Sequence, residues 1–150
     1  SLAICGYLAE IFPDAGLWPA DPAAKAMARS ISAEMHSSFQ ALRSQFPMNI
    51  RKTVPGRPVS AEAQTDIDRV VALWRACRER FGKGGGDFLF GRFTIADAMY
   101  APVVTRFRTY RFALDRDADA YCAAVTALPA MQEWAEAAKN EPMVIEQYEI

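Results

Sequence analysis

Phe93-Thr94-Ile95-Ala96-Asp97-Ala98-Met99-Tyr100-Ala101-Pro102-Val103-Val104 reads as the start of a helix that carries its own N-terminal seal. A helix leaves its first N–H groups without partners in the helix. Thr94 can accept a hydrogen bond from the Asp97 N–H, and Asp97 can reach back to the Thr94 N–H, so two orphan donors are satisfied reciprocally. Asp97 also lies at the positive end of the helix dipole. No charged residue occurs from 98 to 105. A helix that is apolar on most faces is a buried one. Burial removes water as the alternative partner, which makes Thr94 and Asp97 the expected structural cap. Pro102 deletes one N–H inside the run and is expected to interrupt and bend the helix.

The flanks support helices throughout. Phe88-Leu89-Phe90-Gly91 leads into the capped run, preceded by Gly82-Lys83-Gly84-Gly85-Gly86. That glycine cluster has neither Walker A spacing nor a dinucleotide fingerprint, so it reads as a flexible turn. Before it, Ser60 can cap a helix over 61–81, whose Ile67, Val70, Val71, Trp74, Cys77 and Phe81 recur at helical spacing. Cys77 in that stripe reads as a buried, inert thiol. After the capped run come Arg106, Arg108 and Arg111, then two short helices over 117–128 and 129–140, the second with Pro129 at its first position. The tail 143–150 has no clear period and is expected to cover the surface.

Toward the N-terminus, Asp21-Pro22 opens a helix expected to run to about Phe46, before Pro47. Its apolar stripe is Ile31, Met35, Leu42 and Phe46, and a second face carries His36, Gln40 and Arg43. The loop 47–60 is locally basic through Arg51, Lys52 and Arg57. It reads either as a solvated loop or as an anion-contacting lid. A further helix occupies 1–12, with Ser1 at its N-cap, and 13–21 is a linker rich in Pro and Gly. No segment shows sustained strand alternation, so the expected class is all-α, a helical bundle.

Composition narrows the function. Of the 150 residues 51% are hydrophobic, which allows one sizeable core. Seventeen basic residues against 18 acidic ones leave a net charge of −1. Without a basic excess, counterion release cannot drive nucleic-acid binding, and no anionic membrane partner is expected. No run is long enough to span a bilayer. Cys5, Cys77 and Cys122 are odd in number and far apart. This suits reduced thiols in a cytoplasmic protein and not a zinc site, so no metal is expected.

The capped run with its Phe-Leu-Phe-Gly lead-in resembles the capping motif of the C-terminal domain of soluble glutathione S-transferases. Ser1-Leu2-Ala3-Ile4-Cys5-Gly6-Tyr7-Leu8 resembles the last helix of that family's thioredoxin-like domain. Ser32-Ala33-Glu34-Met35-His36-Ser37-Ser38-Phe39 resembles a stretch of the bacterial beta class, with Ser37 where those sequences carry Lys. The resemblance implies three segments: 1–12, the last helix of a thioredoxin-like domain; 13–21, the interdomain linker; and 22–150, the all-helical C-terminal domain. Because Ser1 opens the chain without a Met, a fragment of a longer protein is expected.

The resemblance further implies glutathione as co-substrate, a small electrophile as second substrate, and a homodimer in the intact protein. By the same resemblance Ser1 contacts the γ-glutamyl carboxylate, although a plain N-cap is the other reading. Met35, His36, Phe39 and Arg106 would line the co-substrate pocket, and a lone His such as His36 is also read as an ordinary surface residue. Arg106 stands near a position where the beta class has Trp, which points to a different or more acidic co-substrate. No catalytic residue is expected within these 150, so the chain alone should be inactive. A catalytically silent regulator or binding protein with the same fold is the alternative, and a free-standing helical interaction domain a third. The maleylacetoacetate isomerase branch would carry Gln-Asn where this chain has Gln40-Ala41.

Overall fold

The computed structural model describes residues 1–82 and 84–149. Lys83 of the glycine-rich turn and Ile150 of the tail lie outside the described residues. Within them the class is all-α, with helices α1 (Leu2–Ile11), α2 (Pro22–Ser37), α3 (Gln40–Gln45), α4 (Ala61–Phe81), α5 (Ile95–Tyr110), α6 (Arg116–Thr126) and α7 (Pro129–Asn140). No strand occurs among the described residues; two isolated bridges, Phe88 with Gly91 and Phe90 with Arg92, shape the approach to α5. No described helix is long and apolar enough to cross a membrane. The chain forms two compact units, Ser1–Ser38 with Val70–Ala101 and Phe39–Arg69 with Pro102–Ile150, and α4 and α5 contribute residues to both.

In the first unit, the Asp21 carboxylate accepts the Ala24 N–H at 2.8 Å and starts α2, where Pro22 gives up no needed donor. One face of α2 buries Ala24, Ala28, Ile31 and Met35. Trp74 of α4 meets Tyr100 of α5 edge to face at 5.8 Å, and the Tyr100 hydroxyl donates to the Ile31 carbonyl at 3.2 Å. The linker is stitched down by the Ile95 N–H on the Leu17 carbonyl at 3.0 Å. Arg92 adds bonds to the carbonyls of Gly16 and Trp18. Gly16 has a φ of 56°, and a Cβ there would collide with the Arg92 guanidinium, so glycine fits for two reasons.

In the second unit, the Ser60 hydroxyl accepts the Ala63 N–H at 3.2 Å and caps α4. Phe46 is fully buried between Tyr110 and Phe112, with ring centroids 4.8 and 4.9 Å away, both edge to face. Tyr121, Cys122 and Val125 form the buried face of α6.

Several expectations are corrected. The long helix over 22–46 is two helices, because Phe39 takes a left-handed φ of 62° between α2 and α3. Its ring is 4% exposed, and burying that ring outweighs a backbone cost of about 1–2 kcal/mol. Pro102 does not interrupt α5, which runs unbroken from Ile95 to Tyr110. α6 starts at Arg116 and not at 117, because the Asp115 carboxylate accepts the N–H groups of Asp117 and Ala118 at 3.0 and 2.8 Å. α1 forms as expected, yet buries none of its residues.

Candidate functional site

The start of α5 lies in the first unit and is sealed by Asp97, which is fully buried. One carboxylate oxygen accepts both the Thr94 N–H at 2.8 Å and the Thr94 hydroxyl at 3.0 Å. The other accepts the Leu89 N–H at 3.1 Å, tying the incoming loop to the helix. The hydroxyl donating to the carboxylate and the bond from Leu89 were both missed in the sequence reading. Charge-assisted bonds of this kind are the strong ones, and here water is excluded from them. Cys77 faces the same region. Burial first, and then the negative charge of Asp97, pushes its thiol up to about 12. Burial does the same to Cys122, also to about 12. Both thiols are protonated at neutral pH and are poor nucleophiles.

Ser1 is exposed and stands at the N-cap of α1, where its hydroxyl makes no capping bond. Met35 is buried in the first unit at 6% exposure, and His36 is exposed in the last turn of α2. Phe39 and Arg106 belong to the second unit. Arg106 is half-buried and donates from Nε to the Phe46 carbonyl at 2.8 Å and from Nη1 to the Pro102 carbonyl at 3.1 Å. Burial, and then the like charge of Arg43, lowers the pKa of this guanidinium. Thr94 and Asp97 are thus the predicted pair that the structure brings into direct contact.

The second unit also holds a cavity of about 530 Å³, lined among others by Lys52, Thr105, Arg108, Thr109 and Met131. Neither Phe39 nor Arg106 lines it. Nearby, the tail is clasped to the basic loop: Glu149 accepts from Arg51 at 3.0 Å, from Lys52 at 2.8 Å and from the Asn49 amide at 3.1 Å. Asn49 is itself fixed, since its carbonyl accepts the Thr109 hydroxyl at 2.8 Å. Arg51 and Lys52 therefore face a residue of the chain itself. No local signal predicts a clasp between residues so far apart in sequence.

Residues 57–137, more than half of the chain, match the family model described as the glutathione S-transferase, C-terminal domain. The chain belongs to this family. Among solved structures it is similar to the crystal structure of a glutathione transferase homolog from Burkholderia GL BGR1 with bound glutathione, with a TM-score of 0.63 and 24% identity. That likeness covers 93% of this chain and 66% of the other, so the chain spans just under two thirds of its relative's length. It supports the fold alone. No protein of curated function matches the chain in sequence. The part of this glutathione S-transferase domain that the family model covers includes Thr94, Asp97 and Arg106, and leaves out Ser1, Met35, His36 and Phe39.

Proposed function

We propose that the chain is the helical domain of a glutathione transferase and works beside a thioredoxin-like domain that holds glutathione and activates its thiol. The observation that carries this reading is α1. Ile4, Tyr7, Ile11 and Phe12 are 64%, 61%, 46% and 56% exposed, and no residue of this strongly apolar helix is buried. A face of that kind is an interaction surface, and a second domain of the same protein fits it. The coverage of the Burkholderia relative agrees with a larger intact protein.

Within this reading glutathione is the co-substrate and a small electrophile the acceptor. Ser1 supplies a hydroxyl at a helix N-terminus, where N–H groups and the dipole suit a carboxylate. Met35, His36, Phe39 and Arg106 are co-substrate contacts, each proposed from the resemblance. His36 and Arg106 carry polar groups, and Met35 and Phe39 bring apolar ones. Activating a thiol takes donors or positive charge that lower its pKa, and the surroundings of Cys77 and Cys122 act in the opposite sense. The chain supplies the acceptor side and part of a dimer surface, in the cytoplasm, where its free cysteines stay reduced.

A conjugation assay tests the proposal. The 150-residue chain alone is expected to show negligible turnover, and the protein carrying the thioredoxin-like domain to conjugate glutathione. Turnover by the chain alone at the rate of an intact enzyme would contradict the division of labour. Glutathione binding without conjugation by the larger protein would favour the catalytically silent, regulatory reading.

A further inference from the structure

We infer that Arg43, Arg57 and Arg106 form a recognition site for a carboxylate carried by the co-substrate. This deepens the reading above and rests on it only for calling the ligand a co-substrate.

Arg57 and Arg106 lie against Phe46 and close to Tyr110 in the second unit, and Arg43 stands near Arg106. Arg106 Nε holds the Phe46 carbonyl at 2.8 Å. The Arg57 guanidinium lies 5.9 Å from the centroid of the Phe46 ring. One buried phenylalanine therefore carries a cation at its backbone and another at its ring. The Tyr110 hydroxyl, which donates to the Pro47 carbonyl at 2.8 Å, feels both charges: burial raises its pKa, and Arg57 and Arg106 oppose that rise. Arg43 stands close enough to Arg106 to disfavour its charge. All three side chains are half-buried.

Arg57 and Arg106 differ in partner chemistry from Arg51, which pairs with Glu149 at 3.0 Å, and from Arg108, which pairs with Asp119 at 2.6 Å. Among the described residues, Arg106 bonds to two neutral carbonyls, and Arg57 has a ring and no carboxylate. Carbonyls orient a guanidinium without neutralising it. Like charges drawn partly out of water repel one another and lose hydration, and an anion relieves both costs. Arg106 uses Nε and Nη1, so Nη2 keeps its two hydrogens available. A guanidinium fork matches a planar carboxylate.

Titration of the 150-residue chain with a chloronitrobenzoate and with its methyl ester, followed on the arginine Nε–H signals, tests this directly. The two probes share a ring and differ in one charge. The acid is expected to shift the signals of Arg57 and Arg106, to bind at least about tenfold more tightly than the ester, and to weaken as salt is added. Arg57→Gln and Arg43→Gln are each expected to weaken the acid severalfold and leave the ester unchanged. Arg106→Gln risks the fold through its carbonyl bonds, so the other two variants carry the test. Lys139→Gln, which removes a charge from the exposed face of α7, is the control and is expected to change nothing. Glutathione, titrated alone, separates the two sources of a carboxylate. Equal binding of acid and ester, indifference to Arg57→Gln and Arg43→Gln, or glutathione occupying the arginines as tightly as the acid would overturn the inference. Because binding is read without turnover, its failure leaves the transferase reading to the conjugation assay.

Discussion

Thr94 gives two hydrogen bonds to a single oxygen of Asp97, one from its N–H at 2.8 Å and one from its hydroxyl at 3.0 Å. Both residues are essentially inaccessible, at 2% and 0% exposure. Thr94→Val keeps the shape and the backbone donor and removes the hydroxyl. Loss of a hydrogen bond to a charged acceptor is expected to lower stability by about 1–3 kcal/mol in urea unfolding, with little change in slope. An unchanged midpoint would mean that the hydroxyl contributes nothing to the seal.

The thiols give a prediction with a definite pH sense. Cys77 and Cys122 have an ordinary value of 9.0 and stand near 12 in the fold, chiefly through burial. The unfolded chain releases these protons from about pH 9, and the folded chain keeps them until about pH 12. Their contribution is therefore whole below 9 and is lost as pH climbs toward 12. Urea stability should fall across that window, and a Cys77→Ala, Cys122→Ala variant, though less stable overall, should fall less steeply. An alkylating reagent at neutral pH should label half-buried Cys5 in the folded chain and all three cysteines after unfolding.

Glu149 titrates in the opposite direction. Hydrogen bonds from Lys52 and then Arg51 hold its carboxyl below the ordinary 4.5. The clasp is present at neutral pH and weakens as pH falls through and below that value. Protection of the amides over 141–149, taken against the intrinsic exchange rate at each pH, should fall on acidification, and Glu149→Gln should show the lowered protection already at neutral pH. Equal protection in both forms would mean that the clasp does not hold the tail.

Arg111 has a left-handed φ of 52° just past the end of α5, where the Phe112 N–H closes a bond of 3.2 Å to the Phe107 carbonyl. Glycine is the residue that this turn favours. Arg111 is exposed, so little packing is at stake. Arg111→Gly should raise stability by about 0.5–1 kcal/mol, read as a higher unfolding midpoint. A fall would show that the arginine side chain contributes more than its backbone costs.

Arg111 and Phe39 also mark how far the sequence could be read. Starts of helices were legible where a side chain caps its own helix, as at Asp21 and Ser60, or where Pro129 sits in the first turn. The apolar run after Asp97 disclosed a buried helix. Left-handed turns filled by phenylalanine and arginine carry no glycine to announce them. Tertiary packing of the Phe39 ring decided the break between α2 and α3, and no local propensity records that. The same holds for the site. Arg106 was visible as a charge at the end of an apolar run, whereas its bond to Phe46 and its neighbours Arg43 and Arg57 come from three separate stretches. The second oxygen of Asp97 and its bond to Leu89 depend on a loop closure that a T-x-x-D pattern does not encode.

The sealed start of α5 is the claim on which the family fold and the reading of function rest, and Asp97→Ala tests it most directly. The variant strands the buried N–H groups of Leu89 and Thr94 and removes the cap. By equilibrium unfolding in urea it is expected to cost about 3–5 kcal/mol, with Asp97→Asn intermediate because it retains one acceptor. An Asp97→Ala midpoint equal to that of the parent chain would contradict the account.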